Sequence, residues 1–326
     1  MKKNVAVVCG GYTAERNISL GSGDVVVRNL DESPFNVFKV VIDPDGWFVE
    51  PEHIPVDLAT FSFLWTGNTV KFDLVFNAIH GSPGEDGKLQ GYLDMMEVPY
   101  TNCSVATSAL TFNKFWTKRV LDDHGIPMAK GRLVTADNAA AMEAEIRAQF
   151  ALPLFVKPNN NGSSFGVSKV KAFDELGAAI AEALRFDREV LVEEGITGRE
   201  VTCGVYRNEG VVTTLPICEV VTGKHDFFDY TAKYTAGESD EIIPAPIPET
   251  EADKVRQFST SVYQALNCRG VVRIDYIIRD GIPHFLEVNT VPGLSEASIV
   301  PKMARAAGMT LCDFFTNLLN AASCDH

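Results

Sequence analysis

The segment Val271–Leu294 shows the clearest strand pattern of this sequence, and it constrains the fold more than any other stretch. Its first run alternates apolar residues with Arg273 and Asp275, and its second run alternates apolar residues with Glu287 and Asn289. Alternation with a period of two is typical of strands that are buried on one face. The segment therefore predicts a β-hairpin with polar side chains on one face of each strand.

The turn between the two runs decides which polar side chains meet. A loop with an odd number of residues, 280–282 or 279–283, sets Asp275 opposite Glu287 and Arg273 opposite Asn289. A two-residue loop instead puts Asp275 and Glu287 on opposite faces of the hairpin. Because Pro283 cannot donate to a strand ladder, we expect the longer loop. The same alternation predicts that Leu286 and Val288 lie on the apolar face of the second strand, opposite to the face of Glu287 and Asn289.

Side chains that share one face of this hairpin would bring metal-ligand chemistry to one patch. Carboxylate and amide oxygens suit Mg²⁺, which proteins usually hold together with phosphate groups. A salt-bridged hairpin, in which Arg273 merely neutralises Asp275, is the alternative. The continuation EVNTVPG favours a site, because an Asn ends the strand and a Pro-Gly turn exposes backbone N–H groups beside it.

The composition excludes two classes of partner. The chain has 326 residues, of which 46% are hydrophobic and 22% charged, as in ordinary soluble globular proteins. A net charge of −14 argues against nucleic acid or an anionic membrane as the main partner. Seven scattered cysteines predict reduced thiols in a cytoplasmic protein, and no run approaches the roughly 18 apolar residues of a membrane span.

The N-terminal part alternates strands with helices, which predicts a parallel sheet with ligand sites at the strand ends. Strands are expected at Asn4–Val8 and Asp73–Ile79, and Glu15 and His80 follow them. Glu15 and His80 each also have an explanation that involves no ligand. Glu15 is also a suitable acid for the first turn of a helix, and His80 is also an unremarkable loop histidine.

The middle of the chain combines lysines with a loop of small residues. Lys157 ends a strand and begins KPNNNGSSFGVSKV, whose backbone N–H groups could hold phosphate, although a flexible hairpin tip is the alternative. A predicted helix, Ser108–Gly125, carries Lys114 and Lys118. The strand Glu189–Glu194 ends in acids that could contact an adenine and a ribose, or lie in solvent. Thr222–Ser239 lacks periodicity and is rich in aromatics, which favours a lid.

Taken together, these segments resemble the D-alanine–D-alanine ligases of the ATP-grasp superfamily. The resemblance rests on a series of motifs that occur in this order: GGYTAERNISL, HGSPGEDGKLQG, the Lys114 region, KPNNNGSSFGVSKV, FDYTAKY, RIDY and EVNTVPGLSEASIVP. It implies an ATP-grasp fold, with α/β structure in an N-terminal parallel-sheet domain and α+β structure in the two nucleotide-binding domains. The implied domains are 1–103, 104–199 and 200–326, the last with a lid at 222–239 and a metal hairpin at 271–293.

The resemblance also implies a reaction and a set of site residues. One D-alanine is phosphorylated by ATP, the second attacks the acyl phosphate, and two Mg²⁺ ions, or Mn²⁺ in their place, assist. Metal ligands are implied at Asp275, Glu287 and Asn289. Nucleotide contacts are implied at Lys114, Lys157, Ser164, Glu193, Glu194, Glu200 and Lys233. Catalytic contacts are implied at Glu15, Ser163, Tyr234, Arg273 and Gly293. Substrate contacts are implied at Glu15, His80 and Ser298. The implied partners are D-alanine, ATP and a second copy of the chain in a homodimer.

Three rival functions remain to be weighed against this one. A ligase that joins D-alanine to D-lactate is disfavoured by Tyr234 in the lid. An inactive nucleotide-binding relative would be expected to lose a metal ligand or Arg273, and this sequence keeps them. A Rossmann dehydrogenase would need a Gly-x-Gly-x-x-Gly fingerprint after the first strand. The sequence departs from the family pattern at Glu194, where relatives often carry Lys, and at Glu296 and Ala297, where Glu296 adds negative charge near the predicted carboxylate site.

Overall fold

The computed structural model describes residues 2–160, 162, 166–208, 210–222 and 239–324. Within these ranges the strands form three larger sheets and one separate hairpin. The sheets follow one another along the chain, so each is built from a nearly continuous stretch of sequence.

The first sheet has five strands in the order β4-β3-β2-β1-β7. Its strands are β1 Asn4–Gly10, β2 Asn36–Asp43, β3 Gly46–Glu50, β4 Ile54–Pro55 and β7 Leu74–Asn77. β1 runs parallel to β2 and β7, as predicted, but β3 and β4 are antiparallel additions, so the sheet is mixed. The sequence analysis missed this edge, which forms because Asp43 pairs with Gly46 across a tight turn. β5 Ser62–Trp65 and β6 Asn68–Lys71 make the separate hairpin.

Helix α1, Arg16–Asn29, packs closely on the first sheet. Its buried face carries Ser19, Ser22 and Gly23 as well as valines. A Cβ at Gly23 would lie 2.7 Å from the Sγ of Cys9, so the approach of helix to strand requires glycine there. This close packing puts the buried hydroxyls of α1 against the loops at the ends of β1 and β7.

The second sheet is antiparallel, with the order β10-β9-β11-β8. Its strands are β8 Gly131–Thr135, β9 Leu154–Pro158, β10 Ser168–Val170 and β11 Glu189–Glu194. Helices α5 Ala139–Gln149 and α6 Leu176–Ala183 cover one face, and a 3₁₀ turn, Phe173–Glu175, precedes α6. Because strand side chains alternate, Phe155, Lys157 and Glu193 lie on the other face.

The third sheet has the order β15-β14-β12-β16-β17, with β13 paired to β12. Its strands are β12 Arg199–Asn208, β13 Val211–Thr214, β14 Cys218–Thr222, β15 Ser239–Ile242, β16 Val272–Arg279 and β17 Ile282–Asn289. Helix α7, Glu249–Ala265, packs on one face against Val272, Ile274 and Tyr276. The opposite face of β16 is left for polar side chains.

Three helices connect the first sheet to the second along the chain. They are α2 Lys88–Met95, α3 Val105–Phe112 and α4 Lys114–Asp122. The single helix predicted at Ser108–Gly125 is wrong, because Asn113 adopts an extended backbone between α3 and α4. The Asn113 side chain accepts the N–H of Trp116 and caps α4. Lys114 therefore sits in the first turn of its own helix.

The C-terminal helices return to the first sheet. α8 is Ile299–Ala306 and α9 is Leu311–Ala322. Their apolar residues share one core with Val5 and Val7 of β1, and the rings of Phe76 and Phe315 lie 5.5 Å apart edge to face. This shared core holds the end of β17 beside the loop after β7.

Two further observations concern the chain as a whole. All seven cysteines are free thiols, as predicted, and five of them are buried. Among the residues that the structure describes, no helix is long and apolar enough to cross a membrane.

Candidate functional site

The hairpin β16–β17 has the predicted pairing, reached by a different route. Asp275 lies opposite Glu287 and Arg273 opposite Asn289. The turn is the two-residue one, however, since Arg279 pairs with Ile282. A register shift after Asp275 inserts one extra residue, Leu286, and a bulge of this kind restores the pairing that the short turn would have lost.

Two details of the prediction are therefore wrong. Pro283 does not require a longer loop, because it pairs with Ile278 on β17, which lies at the edge of its sheet, where proline is tolerated. Leu286 does not face the core opposite Glu287, because the bulge turns both side chains towards the same cleft.

Asp275 accepts four hydrogen bonds from neighbouring side chains. Arg273 donates two hydrogen bonds to its carboxylate, from Nε to Oδ1 at 2.8 Å and from Nη2 to Oδ2 at 2.7 Å. Thr202 Oγ1 donates to Oδ1 at 2.5 Å, and Asn289 Nδ2 donates to Oδ2 at 3.2 Å. Asp275 is only 8% exposed, so these donors replace water around its charge. The carboxylate and the guanidinium are thus fixed relative to each other.

Glu287 extends this patch towards the lysines of α4. Its Oε2 lies 3.7 Å from the Nζ of Lys114. Among the described residues, no group of three or more His, Cys, Asp or Glu side chains could hold a metal ion. The predicted set needs only two carboxylates and the Asn289 amide, a hard-oxygen donor set that suits Mg²⁺ when phosphates supply the remaining ligands. The chemistry of the residues therefore fits the predicted metal.

A cleft between the second and third sheets contains most of the predicted nucleotide residues. We call it the intersheet cleft, and its empty space, including the open mouth, is about 1110 Å³. Its charged lining residues are Lys114, Lys157, Glu193, Glu194, Glu200, Arg273, Asp275 and Glu287. Apolar side chains, among them Phe155, Ile196 and Ile277, line the rest. The structure thus brings together eight residues that the sequence analysis assigned to the nucleotide, the metal or the reaction.

A buried group of two lysines around one glutamate forms the floor of this cleft. The two carboxylate oxygens of Glu193 contact different lysines, Oε1 the Nζ of Lys118 and Oε2 the Nζ of Lys157. Burial alone would raise the pKa of Glu193, but the two lysines hold it below its usual value. Burial lowers the pKa of Lys118 in spite of its partner. A ligand bound through the Glu193 carboxylate has to share its oxygens with these lysines.

The other predicted nucleotide acids lie at the rim. Glu194 accepts the backbone N–H of Ala151 at 3.1 Å, and its own N–H donates to the Lys130 carbonyl at 3.0 Å. Glu200, on β12, pairs with Val220 on β14. Both acids therefore stand on well-paired strands at the cleft.

Glu15 lies where the N-terminal part meets the second sheet. It is the residue before the first turn of α1, and its side chain makes no capping hydrogen bond there. Cβ atoms built on Gly81 and Gly162 would lie 3.2 Å and 3.0 Å from its Oε2. Since Gly162 also lines the intersheet cleft, the carboxylate of Glu15 stands at the edge of that cleft.

His80 is buried behind Glu15, and both of its ring nitrogens have partners in the protein. Nδ1 contacts the carbonyl of Val291 at 2.9 Å, and Nε2 contacts Ser22 Oγ at 3.0 Å. Burial lowers its pKa, while the charge of Glu15 acts the other way. The ring is therefore neutral at neutral pH and donates through Nδ1.

The loop after β17 leads from the metal hairpin to Ser298. Ser298 precedes α8, and its Oγ lies 2.7 Å from the Oγ of Ser295. A Cβ at Gly293 would be 2.8 Å from Ser298 Oγ, so the loop and the helix start touch. Glu296, which departs from the family pattern, is exposed and contacts Arg28 and Arg305. Its charge is compensated on the surface, so it does not weigh against a carboxylate site at Ser298.

Some predicted site residues lie outside the described residues. They are Ser163, Ser164, Lys233 and Tyr234. Most of the predicted lid at 222–239 also lies outside the described residues. Other residues were missed. Lys118 was placed on the same predicted helix as Lys114 but was given no role, although a spacing of one helical turn puts both lysines on one face. Thr202, Ser22 and Glu85 carry no such signal, because their partners lie far away in sequence.

Comparisons with known proteins bear on the whole chain. Residues 120–320 match the family described as D-ala D-ala ligase C-terminus, and residues 59–103 match D-ala D-ala ligase N-terminus. A D-alanine--D-alanine ligase of Parabacteroides distasonis is 44% identical over 98% of this chain and 97% of its own length.

Solved structures agree with these matches. A D-Ala:D-Ser ligase from Enterococcus faecalis superposes with a TM-score of 0.88 at 32% identity, covering 99% of this chain and 100% of its own. A D-alanine--D-alanine ligase from Bacillus anthracis, solved in complex with ATP, gives a TM-score of 0.80 at 28% identity and covers 100% of this chain and 98% of its own.

Proposed function

Because this chain belongs to the D-alanine–D-alanine ligase family, we propose that it joins two D-alanine molecules into D-alanyl-D-alanine with the conversion of ATP to ADP and phosphate. The carboxylate of the first D-alanine takes the γ-phosphoryl group of ATP and becomes an acyl phosphate. The amine of the second D-alanine attacks that carbonyl, and phosphate leaves. The product serves the synthesis of peptidoglycan precursors.

One observation supports this reaction most strongly. The acids of the hairpin, Asp275 and Glu287, face the same cleft as Lys114 and Lys157. Reactions that move a phosphoryl group need cations and metal ligands around it, because catalysis is mostly positioning and charge stabilisation. Two sheets that close on one cleft from opposite sides can hold a nucleotide between them.

The metal ligands proposed are Asp275, Glu287 and Asn289, which would hold two Mg²⁺ ions. When bound, such ions would neutralise the charge that develops on the phosphoryl group during transfer. This proposal is supported by the fixed position of one of the three ligands, since Arg273, Thr202 and Asn289 all donate to the Asp275 carboxylate.

The remaining contacts divide between the two substrates and ATP. Glu15 holds the ammonium of the first D-alanine, with Ser163 and Tyr234 as its hydrogen-bonded partners. Ser298 holds the carboxylate of the second, and the N–H of Gly293 with Arg273 stabilises the oxyanion of the tetrahedral intermediate. Phosphate contacts come from Lys114, Lys157 and Lys233. Adenine and ribose contacts come from Glu193 and Glu200, and further nucleotide contacts come from Ser164 and Glu194.

We also propose the domain division 1–103, 104–199 and 200–326. Its support is that each larger sheet falls within one of these ranges, except that β12 begins at Arg199. A homodimer and a cytoplasmic location remain predictions from the resemblance and the composition.

A phosphate-release assay tests the function. Purified protein with ATP and Mg²⁺ should release phosphate with D-alanine and form D-alanyl-D-alanine, and L-alanine should give no more than the background rate. D-Lactate and D-serine, each offered with D-alanine, test the second site, since a D-Ala:D-Ser ligase is among the similar structures. A mixed product formed faster than D-alanyl-D-alanine would reassign the second substrate, and no release with any of them would refute ligase activity.

A further inference from the structure

The loop 290–294, which follows β17 and contains Gly293, is held by side chains from the opposite end of the sequence. They are Ser22, on α1, and His80 and Glu85, which both lie in the connection between β7 and α2. All three contact backbone atoms of the loop. The contacts span 272, 211 and 206 residues of sequence, respectively.

Val291 is bound on both sides of its backbone. His80 Nδ1 lies 2.9 Å from its carbonyl oxygen, and its N–H donates to Glu85 Oε1 at 3.2 Å. A carbonyl oxygen can only accept, so Nδ1 of His80 carries the proton. The second oxygen of Glu85, Oε2, accepts the N–H of Gly81 at 2.7 Å, which ties the acid to the residue after His80.

Ser22 closes the network at the other end of the loop. The N–H of Leu294 donates to Ser22 Oγ at 3.2 Å, and Oγ lies 3.0 Å from His80 Nε2. Because Nδ1 of the neutral ring holds the proton, Nε2 accepts from the Ser22 hydroxyl. The hydrogen bonds then run in one direction, from Leu294 through Ser22 to His80, and from His80 to Val291.

This arrangement restrains the loop at Val291 and at Leu294. Only Pro292 and Gly293 lie between these two anchors, and the ring of Pro292 fixes its own φ. Ser298 Oγ lies against the Cα of Gly293, where a Cβ would approach to 2.8 Å. The direction of the Gly293 N–H is therefore set by groups on either side of it.

We propose that Ser22, His80 and Glu85 are positioning residues, which hold loop 290–294 so that the Gly293 N–H points at the developing oxyanion. The inference rests on the proposed function, which assigns that N–H to the tetrahedral intermediate. It differs from the substrate contact that the resemblance implies for His80. Both ring nitrogens of His80 already have protein partners, so the residue acts through Val291 and not on D-alanine.

A positioning role has a kinetic signature that a purely structural role lacks. A displaced oxyanion donor weakens binding only in the transition state, so kcat falls while the KM values for ATP and for the first D-alanine hardly change. Loss of one such donor lowers kcat by roughly 10²–10³-fold, so partial displacement should lower it by about 10–100-fold.

Ser22→Ala and Ser19→Ala form a matched pair for the first experiment. Both serines are fully buried on α1, three residues apart, and both hydroxyls bond to backbone groups. Ser19 contacts Gly10 and Ala78 and not the loop. Ser22→Ala should lower kcat about tenfold or more, whereas Ser19→Ala should leave it within about threefold at a similar loss of Tm.

Three further substitutions, at two positions, separate the bonds to Val291. His80→Asn places an amide N–H near the position of Nδ1, so it should retain more activity than His80→Leu. Glu85→Gln replaces one of the two carboxyl oxygens with an amide NH₂, which cannot accept, whether Glu85 itself is protonated or ionised. One of the two N–H groups then loses its acceptor, so kcat should fall again with the ATP KM unchanged. Amide exchange at 290–294, followed by mass spectrometry without any substrate, should accelerate in each of these variants and not in Ser19→Ala.

The outcomes separate this proposal from the proposed function. If the wild-type protein makes no D-alanyl-D-alanine, the function is wrong and the catalytic half of this inference falls with it, while exchange still decides whether these side chains hold the loop. If the wild type is active, a rise in the first D-alanine KM at unchanged kcat in His80→Leu would make His80 a substrate contact and overturn the proposal. Equal kcat losses in Ser22→Ala and Ser19→Ala, or unchanged exchange at 290–294, would overturn it as well.

Discussion

Lys118→Met probes the buried charge group beneath the intersheet cleft. Lys118 is on α4 with a side chain that is 6% exposed, and its Nζ contacts one oxygen of Glu193, which is 4% exposed. The other oxygen contacts Lys157, which is 14% exposed. Methionine keeps most of the length of the lysine stem and removes only the charged donor. Glu193 then keeps the contact with Lys157.

The expected loss of stability follows from this remaining partner. Removing one member of a lone buried pair destabilises by about 3–5 kcal/mol, because a charge is left uncompensated. Here one lysine remains, so the loss is that of a charge-assisted hydrogen bond, about 1.5–3 kcal/mol. Part of this loss of stability is offset, because the variant no longer has to bury the charge of Lys118. The same burial lowers the pKa of Lys118. A net loss of about 1–2 kcal/mol should lower Tm by roughly 2–6 °C.

A kinetic effect should accompany the loss of stability. Without Lys118, the charge of Glu193 acts on Lys157 alone and draws it away from phosphate, so the KM for ATP should rise by about 3–10-fold, equivalent to about 0.7–1.4 kcal/mol. The constants for both D-alanines should stay within about twofold.

Thermal unfolding and initial-rate kinetics against ATP measure both effects. Lys254→Met is the control, since Lys254 is exposed and donates to the carbonyl of Gly281, outside the cleft. A Lys118→Met variant that matches this control in Tm and ATP KM would contradict the role given to Lys118. A change in the D-alanine constants without a change in the ATP constant would contradict it as well.

Three other substitutions test separate parts of the account. Glu287→Gln should keep Tm near that of the wild type and lower kcat by orders of magnitude, because a proposed metal ligand loses its charge, and near-normal turnover at saturating Mg²⁺ would remove Glu287 from the metal site. Glu15→Gln should weaken binding of the first D-alanine by about 10–100-fold, because a charge-assisted hydrogen bond contributes roughly 1.5–3 kcal/mol. A change confined to the constant of the second D-alanine site would contradict the assignment of Glu15. Burial, together with the charge of Glu15, raises the pKa of Glu85 from 4.5 to about 8, so between these pH values the folded protein keeps a proton that the unfolded chain has lost. The contribution of Glu85 to the free energy of unfolding therefore falls as pH rises. The difference in unfolding free energy between wild type and Glu85→Gln, measured by denaturant titration, should be smaller at pH 8 than at pH 5. An equal difference at both pH values would contradict the raised pKa.

The hairpin shows what a strand pattern can predict. Alternation along the two runs, taken with the longer turn expected from Pro283, led to the correct pairing of Asp275 with Glu287, although the turn is the two-residue one. It could not indicate how the register arises, since a short turn with one bulge and a longer turn without one give the same pairing at that point. The position of Leu286 was wrong for this reason.

Contacts between distant segments were beyond the sequence analysis for a different reason. Periodicity describes the neighbours of a residue along one element, whereas His80 meets Val291 only because the C-terminal helices pack on the first sheet. The resemblance placed His80 near the site but carried no information on its partners. Lys118 was within reach, because its spacing from Lys114 put both on one helix face.

The transfer of oxygen from D-alanine to phosphate tests the central claim most directly. D-Alanine labelled with ¹⁸O in its carboxylate is incubated with the protein, ATP and Mg²⁺, and the released phosphate is examined by mass spectrometry. If the carboxylate attacks the γ-phosphate and the acyl phosphate is then opened by the second amine, each phosphate carries one oxygen from the amino acid. Unlabelled phosphate formed alongside D-alanyl-D-alanine would show that no acyl phosphate lies on the path, and would contradict the mechanism proposed for this cleft.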